Sequence, residues 1–549
     1  MTAPTEAPIG EATASWKPMI VLGVAQFLMV LDSAVMNVSV SQLVEDFDTE
    51  ITAIQAVITL YSLVMAATMI TGGKLGDLFG RRRAFRIGLV VYGIGSGITA
   101  ISSSVTVLMF GWSLLEGLGA ALVLPAMAAM VGGTYVGRQR ALAYGILGGL
   151  AGAGVAVGPI LGGYFTANLS WRWVFVGEAL IVVVLLLLSG WLDEPAEQSE
   201  TSVDWVGAGL SAAGLGLVVY AVLQSSSWGW LEPRVSPIEP LGFSLTPFMI
   251  GAGMLLLWMF TVWQNRREEH GQEPLVHLSL LRILSLRSGL IMLLAQNLVL
   301  LGLFFSIPLY LQITQGLDAL ETGVRLLPVS IAMLAFAMSG PLLLRYFSPR
   351  NIVRFGLLLL FFAGLLLVGT IQPELDDMSF AISMTVLGVG MGLLASQLGN
   401  VVQSSVGDDA RSEVGGLQYT AQNLGSALGT ALVGAILLGS LTTALITNIE
   451  NSPDLPESVT AAADVSLSAG VEFVSTADVA AALADSDLSA DQQQEIVDDY
   501  ADAQMQGLKV AIFGISGVAL LALFSTGKLP GRKEDEIGRP DGQPDPQPA

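Results

Sequence analysis

The sequence contains no cysteine, two histidines and few charges: Asp, Glu, Lys and Arg make up 13% of its 549 residues, about half their share in a soluble domain. Without cysteine there is no disulfide framework, no thiolate nucleophile and no cysteine-ligated metal. His270 and His277 fall in one polar loop, which excludes both as proton relays inside an apolar segment, and no metal site is expected. No G-x-x-x-x-G-K-[ST] string occurs, so no phosphate-cradling loop of that kind supplies energy, and no cofactor is expected. Lysine and arginine are missing from residues 447–506, whereas 13 acids lie between Glu450 and Asp502. The net charge of −22 is therefore largely the property of one loop, and nucleic acid is excluded as a partner.

What is present is apolar. Hydrophobic residues make up 53% of the chain, and they fall into fourteen runs near 19–40, 52–73, 86–103, 107–131, 141–166, 173–192, 205–223, 246–264, 288–311, 322–347, 351–371, 379–402, 414–446 and 507–526. A helix of about 20 residues crosses the hydrocarbon of a bilayer. The expected fold class is thus an all-α integral membrane protein with 14 transmembrane helices, in contact with lipid throughout. The run 414–446 is longer than the bilayer needs and has to tilt or protrude.

An even number of spans puts both termini on one side, and the positive-inside rule makes that side the cytoplasm. Twenty of the 24 Lys and Arg then lie inside, Arg81, Arg82, Arg83, Arg138 and Arg140 among them. The expected address is the cytoplasmic membrane. Met1–Ser15 carry no basic residue, so residues 1–18 are expected to be a cytoplasmic segment and not a cleaved signal. Residues 19–192 then make a first six-helix bundle, 193–287 a linker with two extra helices, and 288–526 a second six-helix bundle. Within the second bundle, 447–506 is an acidic outer loop. Capping boxes at Ser475 and Ser489 announce two short helices there. The tail 527–549 is polar, rich in proline and expected to be disordered.

Four strings carry more specific information. The loop after the second run reads G-K-L-G-D-L-F-G-R-R-R, from Gly73 through Asp77 and Gly80 to Arg81, Arg82 and Arg83. The fifth run is 26 residues without a charge, Ala141 to Thr166, with Gly154, Gly158, Pro159, Gly162 and Gly163 in its outer part. Glycines spaced by four share a face and let another backbone approach closely, and Pro159 removes a backbone donor. This helix is expected to lie where two bundles meet and rock. The first run holds V-L-D-S-A-V-M-N, with Asp32 and Asn37, and the sixth opens W-R-W-V-F-V-G-E, ending at Glu178. Asp32 stands roughly 20 Å along its helix, where a carboxylate is costly unless neutralised, paired or facing water.

Together these strings resemble the major facilitator superfamily, and within it the branch of fourteen-span drug:proton antiporters. The resemblance covers about residues 19–446. It implies two six-helix bundles about a midplane cavity that opens alternately to each side. It also implies that the Gly73–Arg83 loop latches the cytoplasmic side, that the Gly154–Gly163 string is the antiporter motif, and that the two extra helices are peripheral. The fourth run departs from the branch. Trp112 stands near the place of its arginine and Glu116 at the place of its glutamine, while Glu178 replaces an asparagine. Asp32 and Glu116 then share a depth with no arginine to hold them ionised, and two acids in one low-dielectric cavity are not both charged cheaply.

Asp32, Glu116 and Glu178 are accordingly the candidates for proton coupling and substrate binding. Asn37, Trp112, Gln296, Asn297, Gln397, Asn400 and Gln422 are candidates for lining the cavity, with helix-to-helix bonding the commoner use of such amides. Trp112 fits either a belt residue near the outer surface or a ring that stacks on substrate. The implied function is proton-coupled export of lipophilic, cationic drugs or toxins, with a small-molecule substrate and protons as partners and no catalytic residue. A dedicated exporter of an endogenous antibiotic or siderophore, a carrier of envelope lipid, and a non-transporting sensor remain open. The oligomeric state is not legible. In this cysteine-free chain, Ser475→Cys is expected to react with an impermeant maleimide in intact cells; labelling only after lysis would invert the topology.

Overall fold

In lipid every backbone N–H and C=O has to be satisfied within the segment that carries it, so an apolar run of this length folds as a helix. The computed structural model describes residues 15–49, 51–192, 203–233, 236–407, 410–451, 473–484 and 488–531, and every regular element among them is helical. The first half contains α1 Lys17–Val38, α2 Val40–Asp46, α3 Ile51–Phe79, α4 Arg81–Ala100, α5 Val105–Leu108, α6 Gly117–Thr134, α7 Gly137–Asn168 and α8 Arg172–Leu188. A π-helical stretch, Met109–Glu116, joins α5 to α6. Next come α9 Trp205–Trp228 and α10 Leu245–Glu269. The second half contains α11 Leu284–Leu309, α12 Ala319–Met338, α13 Gly340–Leu344, α14 Pro349–Thr370, α15 Asp377–Ser404 and α16 Arg411–Asn451. A short α17, Thr476–Leu483, and a long α18, Ala490–Leu523, complete the chain.

Among the described residues, thirteen helical segments are long and apolar enough to cross a membrane. The third expected span, α4, is helical over 20 residues, but four arginines in its first six residues (Arg81, Arg82, Arg83 and Arg86) lower its hydropathy. The ends are set locally. Gly80, at φ 88°, makes the turn between α3 and α4, a backbone conformation that a side chain strains. Side chains of Asp204, Asp318, Ser348 and Asp376 accept hydrogen bonds from the first turns of α9, α12, α14 and α15, each contributing about 1 kcal/mol.

One apolar core joins α11, α12, α14, α15, α16 and α18, and another joins α1, α4, α6, α7 and α8. Between the halves, helices approach at small residues. A Cβ added at Gly73 of α3 would lie 3.2 Å from Gly416 Cα of α16, and one at Gly415 would lie 2.8 Å from Pro125 O of α6. Arg81 Nε donates to Ser412 Oγ at 2.9 Å and Arg140 Nη1 to Ser404 Oγ at 3.0 Å. These contacts close the arginine-rich end of the molecule. Deeper in, Tyr419 donates to Gln26 Oε1 at 3.1 Å, and Ser330 of α12 donates to the Gly152 carbonyl at 3.1 Å.

The extra helices pack on each other, and α9 lies over the α3–α16 seam through Ala66, Val219, Val222, Ala427 and Ala431. The segment after α10 returns as a strap across that seam. Gln264 Oε1 accepts from Leu275 N at 2.7 Å, Glu273 pairs with Lys74 of α3 at 2.7 Å, and His277 Nδ1 meets Glu413 Oε2 of α16 at 3.0 Å. The Glu413 hydrogen bond raises the His277 pKa above 6.5, against the opposing effect of burial. A raised histidine pKa means that this contact is at full strength below pH 6.5 and is lost as pH rises through the folded value.

One expectation is sharpened and another corrected. Helix α7 does lie where the two halves meet, but its Gly154, Gly158 and Gly162 face packs against Val30, Ala34 and Val35 of α1, within the first half. The second half is met instead by Gly145, Gly148, Gly149 and Gly152, which face Ala337, Ala395, Leu334 and Met333. Both sets are spaced at about one turn, so spacing alone did not separate them. The helix runs unbroken through Pro159. At Ser489 the capping box opens no short helix but the 34-residue α18 itself. Its N-terminal turns are stabilised by Tyr500 and Ala503 packing on Leu441, Leu445 and Ile449 of α16. Ser475 caps the expected short helix, and residues 452–472 and 532–549 lie outside the described residues.

A Cβ built at Gly76 would lie 3.6 Å from the Ser412 Cβ, inside the range a disulfide spans. The pair Gly76→Cys, Ser412→Cys is expected to crosslink under mild oxidant and to stop transport until reduced. Full transport by the crosslinked protein would show that the arginine-rich end does not have to open.

Candidate functional site

Asp32 on α1, Glu116 at the end of the π-helical stretch and Glu178 on α8 converge inside the first half. One carboxyl oxygen of each lies within 4.8 Å of its counterparts. All three residues are buried, with no more than 1% exposure. Among the described residues no lysine, arginine or histidine acts on any of them. Two like charges at that spacing repel by about 3.5 kcal/mol even at an effective dielectric constant of 20, so full ionisation of the cluster is strongly opposed.

The surrounding donors are neutral. Trp112 Nε1 donates to Asp32 Oδ1 at 2.8 Å, and its ring stacks on Tyr61 with centroids 4.4 Å apart and planes 10° from parallel. Thr99 donates to Glu116 Oε1 at 3.2 Å. Tyr92 and Ser96 donate to Glu178 Oε2 at 3.3 and 3.4 Å. Asp32 Oδ2, Glu116 Oε2 and Glu178 Oε1 accept no well-formed hydrogen bond. The backbone explains the convergence: a Cβ at Gly95 of α4 would lie 2.6 Å from Glu116 Cγ and 2.7 Å from the Gly111 carbonyl. Only glycine lets α4 come so close. The π-helical stretch opens one wider turn, which turns both Trp112 and Glu116 inward.

Trp112 is thus no belt residue: it is 1% exposed. Glu178 is likewise buried, at 1% exposure. The end of α8 that leads into it is held by Arg172, which pairs with Asp46 at 2.7 Å and lies 4.5 Å from the Trp171 ring centroid. Burial pushes the Asp46 carboxyl up, but hydrogen bonds from Trp171 and Arg172 outweigh it, and its pKa is lowered overall. The Asn37 side chain lies outside the described residues.

The amides of the second half are not gathered at the carboxylates. Asn297 Nδ2 bonds to Leu293 O one turn back, and Gln296 is buried in the same helix. Gln397 bonds to Ser396, and Asn400 accepts from Ser404, the residue that also meets Arg140. Gln422 is half-buried, and its carbonyl accepts from Ser426. Asn400 therefore belongs to the closed arginine-rich end, where Asp77 also lies 3.9 Å from Arg81. Sequence reasoning missed Tyr61, Tyr92, Ser96 and Thr99. The last three fall at i, i+4 and i+7 on α4, a polar stripe in an apolar helix that was there to be read.

A bundle of this kind, with a buried charge cluster and two interdigitated halves, is that of a membrane transporter. The chain matches the Major Facilitator Superfamily over residues 22–430 and belongs to it. It is a multi-pass membrane transporter and not an enzyme. It is 28% identical over 429 residues to the tetracenomycin C resistance and export protein of Streptomyces glaucescens, covering 77% of this chain and 76% of that one. It is 26% identical over 426 residues to the multidrug efflux pump LfrA of Mycolicibacterium smegmatis, covering 77% and 81%. In fold it is similar to the human organic anion transporter MFSD10, with a TM-score of 0.57 at 15% identity over 93% of this chain and 99% of that one. The proton:xylose symporter XylE gives 0.55 at 13% identity over 95% and 98%.

Trp112→Phe keeps the stack on Tyr61 and deletes the N–H. Leaving a buried acceptor bare costs about 1–3 kcal/mol, so the thermal midpoint of the purified protein is expected to fall by a few degrees. Phe110→Leu, at a ring 51% exposed, is expected to leave it unchanged. Equal midpoints for Trp112→Phe and wild type would mean the Asp32 contact contributes nothing.

Proposed function

We propose that this chain is a proton-coupled antiporter that exports lipophilic, cationic small molecules across the cytoplasmic membrane, with both termini in the cytoplasm. The observation that carries the reading is the buried cluster of Asp32, Glu116 and Glu178, to which the described residues bring no counter-cation. Such a cluster binds either protons or a cation, and competition between the two is the minimum that exchange requires. A membrane potential supplies about 2.3 kcal/mol per 100 mV for each proton moved inward. The stacked Tyr61 and Trp112 rings beside Asp32 offer the faces on which a flat, delocalised cation binds well.

The relatives named for resistance and export favour outward transport. In this reading the structure corresponds to a form closed on the cytoplasmic side, where the Gly73–Arg83 loop and α16 interlock. A proton arriving from outside displaces substrate outward; its loss to the cytoplasm readies the site again. The similarity to the tetracenomycin C export protein also supports a second reading, a dedicated exporter of an aromatic antibiotic made by the same cell. A panel pairing ethidium with a neutral polyketide separates the two.

Asp32→Asn keeps size and hydrogen bonding but cannot ionise. It is expected to abolish gradient-driven efflux of every substrate from energised vesicles. Glu116→Gln is expected to weaken cations mainly and to spare neutral compounds. Efflux by Asp32→Asn that still collapses with an uncoupler would move the coupling proton to another group.

A further inference from the structure

The carboxyl oxygens of the cluster fall into two sets. Three of them receive four neutral donors, all from outside the cluster: Trp112 on Asp32, Thr99 on Glu116, and Tyr92 with Ser96 on Glu178. The other three, one on each acid, are buried and accept no well-formed hydrogen bond, although the Tyr61 hydroxyl also lies near Asp32 and the Ser96 hydroxyl near Glu116. A buried acceptor without a donor is expensive, and more so when it carries charge. The donors missing from this site number three at most, and the acids themselves can supply them. A protonated carboxyl is both donor and acceptor, whereas an ionised one only accepts. With two protons on three carboxyls, each O–H has a carboxyl oxygen of a neighbouring acid within 4.8 Å to turn toward, and one negative charge remains, shared by the group. With one proton, two like charges face each other in a dry interior. With three, no acceptor carries charge and the four outside donors lose the partner that strengthens them.

We infer that Asp32, Glu116 and Glu178 act as a single store that holds two protons in this closed form, and that a full transport cycle exchanges both. The count in the closed form stands on the geometry alone; the exchange rests on the antiport reading above. Glu178 thereby becomes a full member of the site and not a spectator. All three acids and all four donors belong to the first half of the chain. Loading and unloading the store needs a change of water access and no remaking of bonds between the halves. A shared store also makes the apparent titration a property of the group, so that removing any one acid changes the behaviour of the other two; in Asp32→Asn the one proton left is held without being exchanged, because Asp32 is the member that takes up and releases protons.

The count is measured directly by infrared spectroscopy of the purified protein in lipid nanodiscs at pH 7, from the deuterium-sensitive C=O stretch of protonated carboxyls. The variant Asp32→Asn, Glu116→Gln, Glu178→Gln serves as zero. Wild type is expected to show two carboxyl equivalents above it, and each single variant one. If the triple variant is not monodisperse, each double variant replaces it: its one remaining acid is expected to be ionised and to give no band that disappears at alkaline pH, whereas a store of three would leave one equivalent there. One equivalent or three in wild type would overturn the inference. So would loss of the band on adding sodium or calcium, which would mean that a metal ion fills the site.

Exchange is measured in proteoliposomes with ethidium as the probe. At zero membrane potential the steady ethidium gradient is expected to change about 100-fold per pH unit for two protons, against about 10-fold for one. A 10-fold slope beside a two-equivalent spectrum would refute the exchange of both. No ethidium movement beside a two-equivalent spectrum would sink the cationic-drug reading and the exchange claim tied to it, and leave the store standing.

Discussion

The rest of the first half is built around the cost of placing carboxylates where neither water nor a cation reaches them. Each of the helices that meets the cluster gives something up for it. Helix α4 carries a hydroxyl stripe through lipid-depth sequence and a glycine where a side chain belongs, and the segment before α6 abandons α-geometry for one turn. Neutral donors satisfy half of the oxygens and leave the others open. An arginine at Trp112 would have settled the charge permanently. An indole settles only the orientation, so the number of protons stays adjustable.

That adjustable charge is mechanically separate from the seam between the halves. The seam relies on backbone contact, glycine against carbonyl, along α3–α16 and α7–α12. Contacts of this type are rigid in close approach yet cost little to part, since few buried side chains have to be solvated when they separate. The strap after α10 adds two ion pairs across the same seam. Parting the arginine-rich end therefore involves the extra helix pair, although α9 and α10 contribute nothing to the carboxylates.

Much of this was legible before any coordinates. Apolar runs of bilayer length admit only helices, and the order of residues from Gly73 to Arg83 pointed to the superfamily that the chain belongs to. Asp32 and Glu116 were found by depth, because a charge at that level has few structural excuses. Partnership was harder. That Glu178 joins them depends on the rotation of α8, which a uniformly apolar helix does not encode. Which glycine face of α7 meets α1 and which meets α12 depends on helix placement, since both faces have the same spacing. The capping box at Ser489 was read correctly as a helix start, but the helix length was not, because the acidic, glutamine-rich turns that follow resemble a soluble hairpin.

Helices α16 and α18 are 41 and 34 residues long, about 60 and 50 Å, where hydrocarbon takes up about 30 Å. Their far ends, clamped through Tyr500, the Val474 backbone and the Asn448–Asp499 contact, form a rigid stalk continuous with the second half. A stalk is a lever. A rotation of roughly 10° at its base carries a point about 20 Å out through about 3–4 Å. Whatever binds at the tip and resists that sweep, an antibody fragment for example, applies torque to the cavity from a distance, without touching substrate, proton or gate.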